Sequence, residues 1–148
     1  MTAAAPTSSE TAPTDALEDA RVLIVDDDPD VRASIGVAFE SAGALTLEVG
    51  DGNEAVDVCR EEPPDLVILD MMLPGRSGFL ALERIKGHPD SPAVIMVTAN
   101  EGRRHQAYAE TLGVDGYMLK PVPLAKLVAE GARLIAQRDA ESQDEGDE

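Results

Sequence analysis

The stretch VLIVDDDPD, residues 22–30, sets four apolar residues directly against three aspartates and a proline. A short continuous apolar run is typical of a strand that is buried on both faces of a parallel sheet. Adjacent carboxylates repel one another, and each one is costly to remove from water. The end of this strand therefore needs a positively charged partner, or only some of the three carboxylates lie in the interior.

Short apolar runs and helical patterns alternate along the rest of the chain. Further strands are predicted at 45–49, 66–69, 93–97 and 116–119. Helices are predicted over 30–42, over 53–60, from the capping residue Ser77 to Gly87, over 100–112 and from 123 to about 138. Five such units predict an α/β fold, a doubly wound three-layer sandwich with helices on both faces of a five-stranded parallel sheet. Sites in such folds lie beyond the carboxyl ends of the strands.

The two ends of the chain differ in composition from its middle. Residues 1–19 are rich in Ala, Thr, Ser, Pro and acidic residues, and residues 139–148 hold six acidic residues and no Lys or Arg. Such segments bury too little apolar surface to become ordered. They are therefore predicted to be a disordered N-terminal tail and a disordered acidic tail around one folded unit at 20–138.

The acidic composition limits the classes of partner. A formal net charge of −17 disfavours nucleic acid and anionic membranes, because both would repel the chain. No apolar run is long enough to cross a bilayer, and the N-terminus lacks the pattern of a signal peptide. The single cysteine, Cys59, cannot form an internal disulfide. These features favour a cytoplasmic location.

Polar residues follow four of the predicted strands. They are Asp26 and Asp27 after the first strand, Asp70 after the third, Thr98 after the fourth and Lys120 after the fifth. The carboxyl ends of parallel strands meet at one edge of the sheet, so these side chains are expected to lie together. Carboxylates without His or Cys suit Mg²⁺ and disfavour zinc.

Such a set suits phosphoryl transfer, in which catalysis is mainly positioning and neutralisation of charge. The chain has no phosphate-cradling loop of the GxxxxGK[ST] type, so a bound nucleotide is not indicated. A carboxylate is then the candidate nucleophile, and its product is an acyl phosphate.

Four motifs carry a resemblance to a known family: VLIVDDDPDVR, VILDMMLPGRSGF, VIMVTA and GYMLKP. Together they resemble the receiver domain of two-component response regulators, in matching order over residues 20–138. The resemblance implies a flavodoxin-like sheet with strand order 2-1-3-4-5.

The resemblance also implies roles at the acidic residues. Asp70 is the phosphoacceptor and a Mg²⁺ ligand. Asp27 is a direct Mg²⁺ ligand, and Asp26 acts on the ion through water. Met72 offers its backbone carbonyl to the ion, so its apolar side chain is no obstacle.

Further roles fall on the ends of the last two strands. Thr98 donates a hydrogen bond to the phosphoryl group and moves toward it. Lys120 pairs with the phosphoryl oxygens and, before phosphorylation, with Asp70. Pro121 follows in a peptide bond that is often cis in the family. Tyr117 stands where the family has an aromatic switch that turns inward on activation.

The function that follows is phosphorelay signalling by a stand-alone module. A sensor histidine kinase or a phosphotransfer protein donates the phosphoryl group from phosphohistidine to Asp70. Output is expected through protein contacts on the face formed by helix 4, strand 5 and helix 5, with phosphorylation-dependent dimerisation as a further form. The module is not an enzyme beyond self-catalysed phosphoryl acceptance and auto-dephosphorylation.

Two rival functions remain at this point. A Mg²⁺-dependent phosphohydrolase usually needs an acid two residues after its nucleophile, and Met72 stands there. A non-phosphorylated, constitutive receiver-like binding module would be favoured by the loss of a key acid, Thr or Lys, and none is missing. Purely structural roles are also open: Thr98 as a helix cap, Lys120 as a surface lysine and Tyr117 as a half-buried strand residue.

Local details of the turns are also predicted. Asp28 precedes Pro29, which favours the first helical position, so Asp28 is expected to cap the first helix. Met72 and Asn100 are expected near the mouth of the site, where an apolar Met72 hinders the water that would attack the acyl phosphate.

Overall fold

The computed structural model describes residues 17–99 and 102–146 of the chain. Five strands and five helices alternate along it. The strands are β1 Arg21–Val25, β2 Leu45–Val49, β3 Leu66–Leu69, β4 Ala93–Thr98 and β5 Gly116–Leu119. The helices are α1 Pro29–Ser41, α2 Gly52–Glu61, α3 Gly78–Lys86, α4 Arg103–Thr111 and α5 Leu124–Gly146.

The strands form one parallel sheet in the order β2-β1-β3-β4-β5. The doubly wound fold and its strand order are therefore confirmed. The order reverses between β1 and β3, which are adjacent in the sheet, and their last residues, Val25 and Leu69, are register partners. The edge beyond this pair is where a fold of this kind builds its site.

Helices cover both faces of the sheet and create two hydrophobic cores. On one face α1 and α5 pack against the sheet, and Phe39 and Leu127 are fully buried there. On the other face α2, α3 and α4 pack through residues such as Leu82 and Ala109. Every residue of β3 and β4 is buried, which explains why the sequence shows uninterrupted apolar runs rather than alternation.

Asp28 and Ser77 cap their helices as predicted. Asp28 Oδ1 accepts hydrogen bonds from the backbone N–H groups of Asp30, at 2.9 Å, and Val31, at 3.4 Å. Ser77 Oγ accepts one from Leu80 N at 3.3 Å. The third aspartate of the opening motif is therefore an exposed helix cap, and its carboxylate needs no partner in the interior.

The structure differs from the sequence prediction at both ends of the folded unit. Leu17 is only 1% exposed, and its backbone N–H donates to Ala42 O, so the folded unit begins before residue 20. Helix α5 continues to Gly146, although a disordered tail was expected from residue 139. Residues 1–16 and 147–148 of the expected tails lie outside the described residues.

The length of α5 has a local cause. No Gly or Pro lies between Arg138 and Gly146, and acidic residues and Gln are tolerated in helices. Gln137 Nε2 donates to Glu141 Oε2 one turn further on, at 3.5 Å. Arg138 donates to the backbone carbonyls of Asp65, at 3.1 Å, and Ser91, at 3.2 Å, which fastens the helix to the amino-terminal end of the sheet.

Helix α4 begins at Arg103, three residues after its predicted start. Asn100, the predicted first residue, lies outside the described residues, as does Glu101. Among the described helices, none is both long enough and apolar enough to cross a membrane.

Cys59 provides a test of the packing between α2 and the rest of the fold. Burial raises the pKa of its thiol to about 12, so the folded chain holds the unreactive protonated form. We expect the thiol to react with a disulfide reagent at pH 8 at least about 100-fold more slowly in the folded chain than in urea. Equal rates in the two states would contradict the packing described here.

Candidate functional site

Three carboxylates meet at the carboxyl edge of β1 and β3. Asp26 and Asp27 follow β1, and Asp70 follows β3. Each of the three offers an oxygen that lies within 4.8 Å of the other two. Asp26 and Asp70 are buried, whereas Asp27 is exposed. The sheet therefore brings together the acidic residues that the sequence placed at its strand ends.

Lys120 supplies the positive charge that the buried carboxylates require. It follows β5, and its Nζ lies 2.7 Å from Asp26 Oδ2 and 3.3 Å from Asp70 Oδ2. The resemblance implied a pair between Lys120 and Asp70, and Asp26 is the nearer partner. One ammonium group thus bridges two carboxylates that would otherwise repel each other in a poorly solvated site.

Backbone groups hold the two buried carboxylates in place. Asp26 Oδ1 accepts from Asp28 N at 2.9 Å, so both oxygens of Asp26 have partners within the protein. Asp70 Oδ1 accepts from Met72 N at 3.3 Å, a longer hydrogen bond. The Met72 side chain itself is 67% exposed. Each oxygen of both acids therefore has a partner, and the shorter distances hold Asp26 more tightly.

The electrostatics of the site follow from burial and charge. Burial raises the pKa of Asp70, and the neighbouring Asp26 raises it further, against the lowering effects of Lys120 and of Met72 N. Burial alone would lower the pKa of Lys120, but its hydrogen bonds and its charge pairs with Asp26 and Asp70 outweigh that effect and raise it. Lys120 is therefore a stable cation next to Asp70.

Thr98 is the last residue of β4, the strand between those that deliver Asp70 and Lys120. Its side chain is fully buried, and its carbonyl oxygen accepts from Lys120 N at 2.8 Å. The peptide bond between Lys120 and Pro121 is cis. Thr98 and Lys120 are thus held in register at the edge where the acids meet.

Tyr117 lies on β5, paired in register with Met96 of β4. Its ring is half-buried on the face covered by α2, α3 and α4. Its hydroxyl is buried and has no hydrogen-bond partner among the described residues, and burial raises its pKa. An unpaired buried hydroxyl costs free energy, so a conformation that gave this group a partner would be favoured.

The loop that follows Asp70 is fastened to the first turn of α2. Gly52 N donates to Pro74 O at 3.2 Å, and Arg76 Nε donates to Asn53 Oδ1 at 3.0 Å. The approach is so close that a Cβ on Gly52 would overlap with the carbonyl oxygen of Arg76. The position of the Asp70 loop therefore depends on a glycine at the start of α2.

Sequence reasoning missed two contacts near the site, the hydrogen bond between Arg76 and Asn53 and the hydrogen bond from Arg32 to the Asp26 backbone. Arg32 of α1 donates through Nη1 to the carbonyl oxygen of Asp26, at 2.6 Å. Asn53 and Arg76 are 23 positions apart, and neither belongs to a pattern that predicts a site. The turn signals around Gly52 were visible in the sequence, but turn residues alone do not predict which loop packs against which helix.

A substitution at Gly52 tests the close approach between α2 and the Asp70 loop. We expect Gly52→Ala to lower the free energy of unfolding by about 1–3 kcal/mol, because the added Cβ must displace the Arg76 backbone. Gly36→Ala in α1 is the matched control, since its Cβ would meet the flexible end of the Glu48 side chain, at 3.1 Å, and would make an ordinary contact with Ile24 Cδ1, at 3.7 Å. Equal urea midpoints for wild type and Gly52→Ala would contradict this packing.

Known proteins resemble this chain over most of its length. The DNA-binding response regulator MtrA of Mycolicibacterium smegmatis is 35% identical over 120 residues, which are 80% of this chain and 52% of that protein. The chain therefore spans about half the length of this relative.

Solved structures share the fold. A CheY-like response regulator receiver domain protein from Methanospirillum hungatei JF-1 has a TM-score of 0.78 and 26% identity, over 84% of this chain and 99% of that one. The receiver domain of a sensor histidine kinase from Pseudomonas aeruginosa PAO1, with a magnesium ion coordinated in its active site cleft, has a TM-score of 0.73 and 26% identity, over 80% of this chain and 98% of that one.

The family model of the response regulator receiver domain matches residues 22–131. The match spans most of the chain and takes in the five strands, except for Arg21 at the start of β1, and the residues that form the acidic site. The chain belongs to the response regulator receiver domain family.

Proposed function

We propose that this chain accepts a phosphoryl group from a phosphohistidine donor onto Asp70, in the presence of Mg²⁺, and thereby switches a protein-interaction surface. The observation that carries the proposal is the cluster of Asp26, Asp27 and Asp70, whose oxygens lie within 4.8 Å of one another beside the Lys120 ammonium. Carboxylates gathered around a cation are the chemistry that phosphoryl transfer requires.

Asp70 is the proposed nucleophile because of its surroundings. An oxygen of its carboxylate forms a bond to phosphorus as the bond between phosphorus and the donor imidazole nitrogen breaks, and the imidazole leaves. Lys120 Nζ, 3.3 Å from Asp70 Oδ2, is placed to pair with the transferred oxygens. The hydrogen bond from Met72 N to Asp70 Oδ1 orients the carboxylate before transfer.

The acidic residues fit a hard divalent cation. Oxygen ligands of high charge suit Mg²⁺, which takes one or two carboxylates and keeps several waters. We assign direct contact to Asp27, Asp70 and the backbone carbonyl of Met72. Asp26 is assigned to act through water, and this is supported by the shorter hydrogen bonds to its two oxygens, 2.9 and 2.7 Å, where both of those to Asp70 are 3.3 Å. The bound ion would supply positive charge to the transferred oxygens.

The switch is proposed to run through Thr98 and Tyr117. Phosphorylation adds charge and acceptor oxygens at Asp70, and the Thr98 hydroxyl would donate to them. Movement of Thr98 would alter the packing next to Tyr117, whose buried hydroxyl lacks a partner among the described residues. The surface of α4, β5 and α5 would then change between two states that the modification biases.

A receiver domain implies a histidine kinase as its partner. The finer assignments are part of the proposal: a phosphotransfer protein as an alternative donor, a protein target on the α4–β5–α5 face, and dimerisation on phosphorylation. A cytoplasmic location is proposed on the same basis. The net charge of −17 argues against direct binding to nucleic acid or to an anionic membrane.

Intact mass after incubation with a small phosphodonor tests the proposal directly. We expect a gain of one phosphoryl group that requires Mg²⁺ and is lost in Asp70→Asn, because the amide cannot form an acyl phosphate. Asp57→Asn is the matched control, since Asp57 is an exposed residue of α2 that pairs with Arg60. A wild-type chain that gains no mass with Mg²⁺ would favour the constitutive binding module instead.

Met72→Asn tests the control of phosphoryl lifetime. Met72 follows Asp70 by two positions and is exposed at the mouth of the site, where an apolar side chain obstructs water. We expect the amide side chain to speed dephosphorylation about 10-fold, because it can hydrogen-bond the attacking water. Leu80→Asn, at another exposed apolar position, should leave the rate unchanged. Identical dephosphorylation rates of Met72→Asn and wild type would contradict a role of Met72 in the phosphoryl lifetime.

A further inference from the structure

Arg32 of α1 reaches back to the end of β1, where the acidic site begins. Its Nη1 donates to the carbonyl oxygen of Asp26 at 2.6 Å. Its Nε lies 3.5 Å from Glu48 Oε1 on β2, an ion pair rather than a hydrogen bond. The Arg32 side chain is only 21% exposed. A largely buried guanidinium thus joins the first helix, the second strand and the backbone of an acidic residue.

The absence of a side chain at Gly50 leaves room for the guanidinium. A Cβ on Gly50, just after β2, would lie 2.8 Å from Arg32 Nη1. The peptide group before Asp26 is also anchored, because Asp26 N donates to Val49 O at 3.2 Å. The backbone of Asp26 is therefore held through its N–H group by the neighbouring strand and through its carbonyl oxygen by Arg32.

We propose that Arg32 is a positioning residue for the acidic site and raises its affinity for Mg²⁺. By binding Asp26 O while its other end is held by Glu48, it fixes the turn that carries Asp26 and Asp27. This inference rests on the proposed function, because it concerns the residues assigned there to the ion.

The turn that carries Asp26 and Asp27 needs the contact with Arg32, here called the tether, because the negative charges at the turn repel one another. Asp26, Asp27 and Asp70 repel one another, and a free turn would relieve the repulsion by moving Asp27 into solvent. Lys120 holds Asp26, as it holds Asp70, by the side-chain carboxylate, whereas Arg32 holds the backbone of Asp26. The carboxylate of Asp27 is exposed, so its position depends on the backbone that Arg32 holds. Residues that orient metal ligands typically change metal affinity by about 10- to 100-fold.

Charge alone makes the opposite prediction. A cation near the site repels Mg²⁺, so its removal would tighten binding if charge were the dominant effect. The pairing of Arg32 with Glu48 offsets much of that repulsion. The planar guanidinium also reaches two acceptors in fixed directions, which the single ammonium of a lysine cannot do. The sign of the change in Mg²⁺ affinity therefore separates the tether from simple electrostatics.

The test is a calorimetric titration of the full chain with Mg²⁺. We expect Arg32→Ala and Arg32→Lys to weaken Mg²⁺ binding about 10-fold or more. Arg138→Ala is the matched control, because Arg138 also donates to two backbone carbonyls, but at the opposite end of the sheet. It should lower the thermal midpoint without changing Mg²⁺ affinity, which separates positioning of the site from general stability.

The outcomes that would overturn the role of Arg32 are distinct from the outcome that would overturn the proposed function. Wild-type or tighter affinity in Arg32→Ala would overturn the tether, and so would wild-type affinity in Arg32→Lys, because a point charge would then suffice. If Arg32→Ala does not fold, Glu48→Gln loosens the anchor while keeping Arg32, and an unchanged affinity there would overturn the inference. Failure of the wild type itself to bind Mg²⁺ would instead contradict the proposed function, on which the tether depends.

Discussion

The repulsion between Asp26 and Asp70, buried on adjacent strands, is the constraint around which this structure is arranged. Lys120 relieves it from β5, 94 positions after Asp26 in the chain, at 2.7 Å. That contact is possible only if β1, β3, β4 and β5 are neighbours in one parallel sheet with their carboxyl ends at one edge. The strand order and the charge balance of the site therefore depend on each other.

Three consecutive aspartates have three different environments because of where each stands on the backbone. Asp26 ends the strand and is held through both carboxylate oxygens. Asp27 stands at the bend after the strand, where it is exposed beside the other two site carboxylates. Asp28 caps the following helix. A run of like charge is thus accommodated by one ion pair, one solvated position and one helix terminus.

The sequence predicted what depends on local pattern and missed what depends on distant contacts. Continuous apolar runs indicated strands buried on both faces, and the polar residues after them indicated the edge that carries the site. The nearer partner of Lys120, the Arg32 contact and the bond between Arg76 and Asn53 were not predictable, because each depends on how side chains meet across the fold. Helix α5 extends beyond its predicted end because an acidic segment has the composition of a disordered tail even where no residue breaks the helix.

The site opposes the stability of the fold that holds it. Burial and the charge of Asp26 raise the pKa of Asp70, which means that the folded state disfavours the ionised form of the carboxylate proposed as the nucleophile. Lys120 offsets this only in part, because it is shared between two acids and lies closer to Asp26. The remaining imbalance is what an added cation relieves most directly. The proposed binding of a metal ion and the proposed acceptance of a phosphoryl group thus have the same origin, a concentration of negative charge that Lys120 offsets only in part.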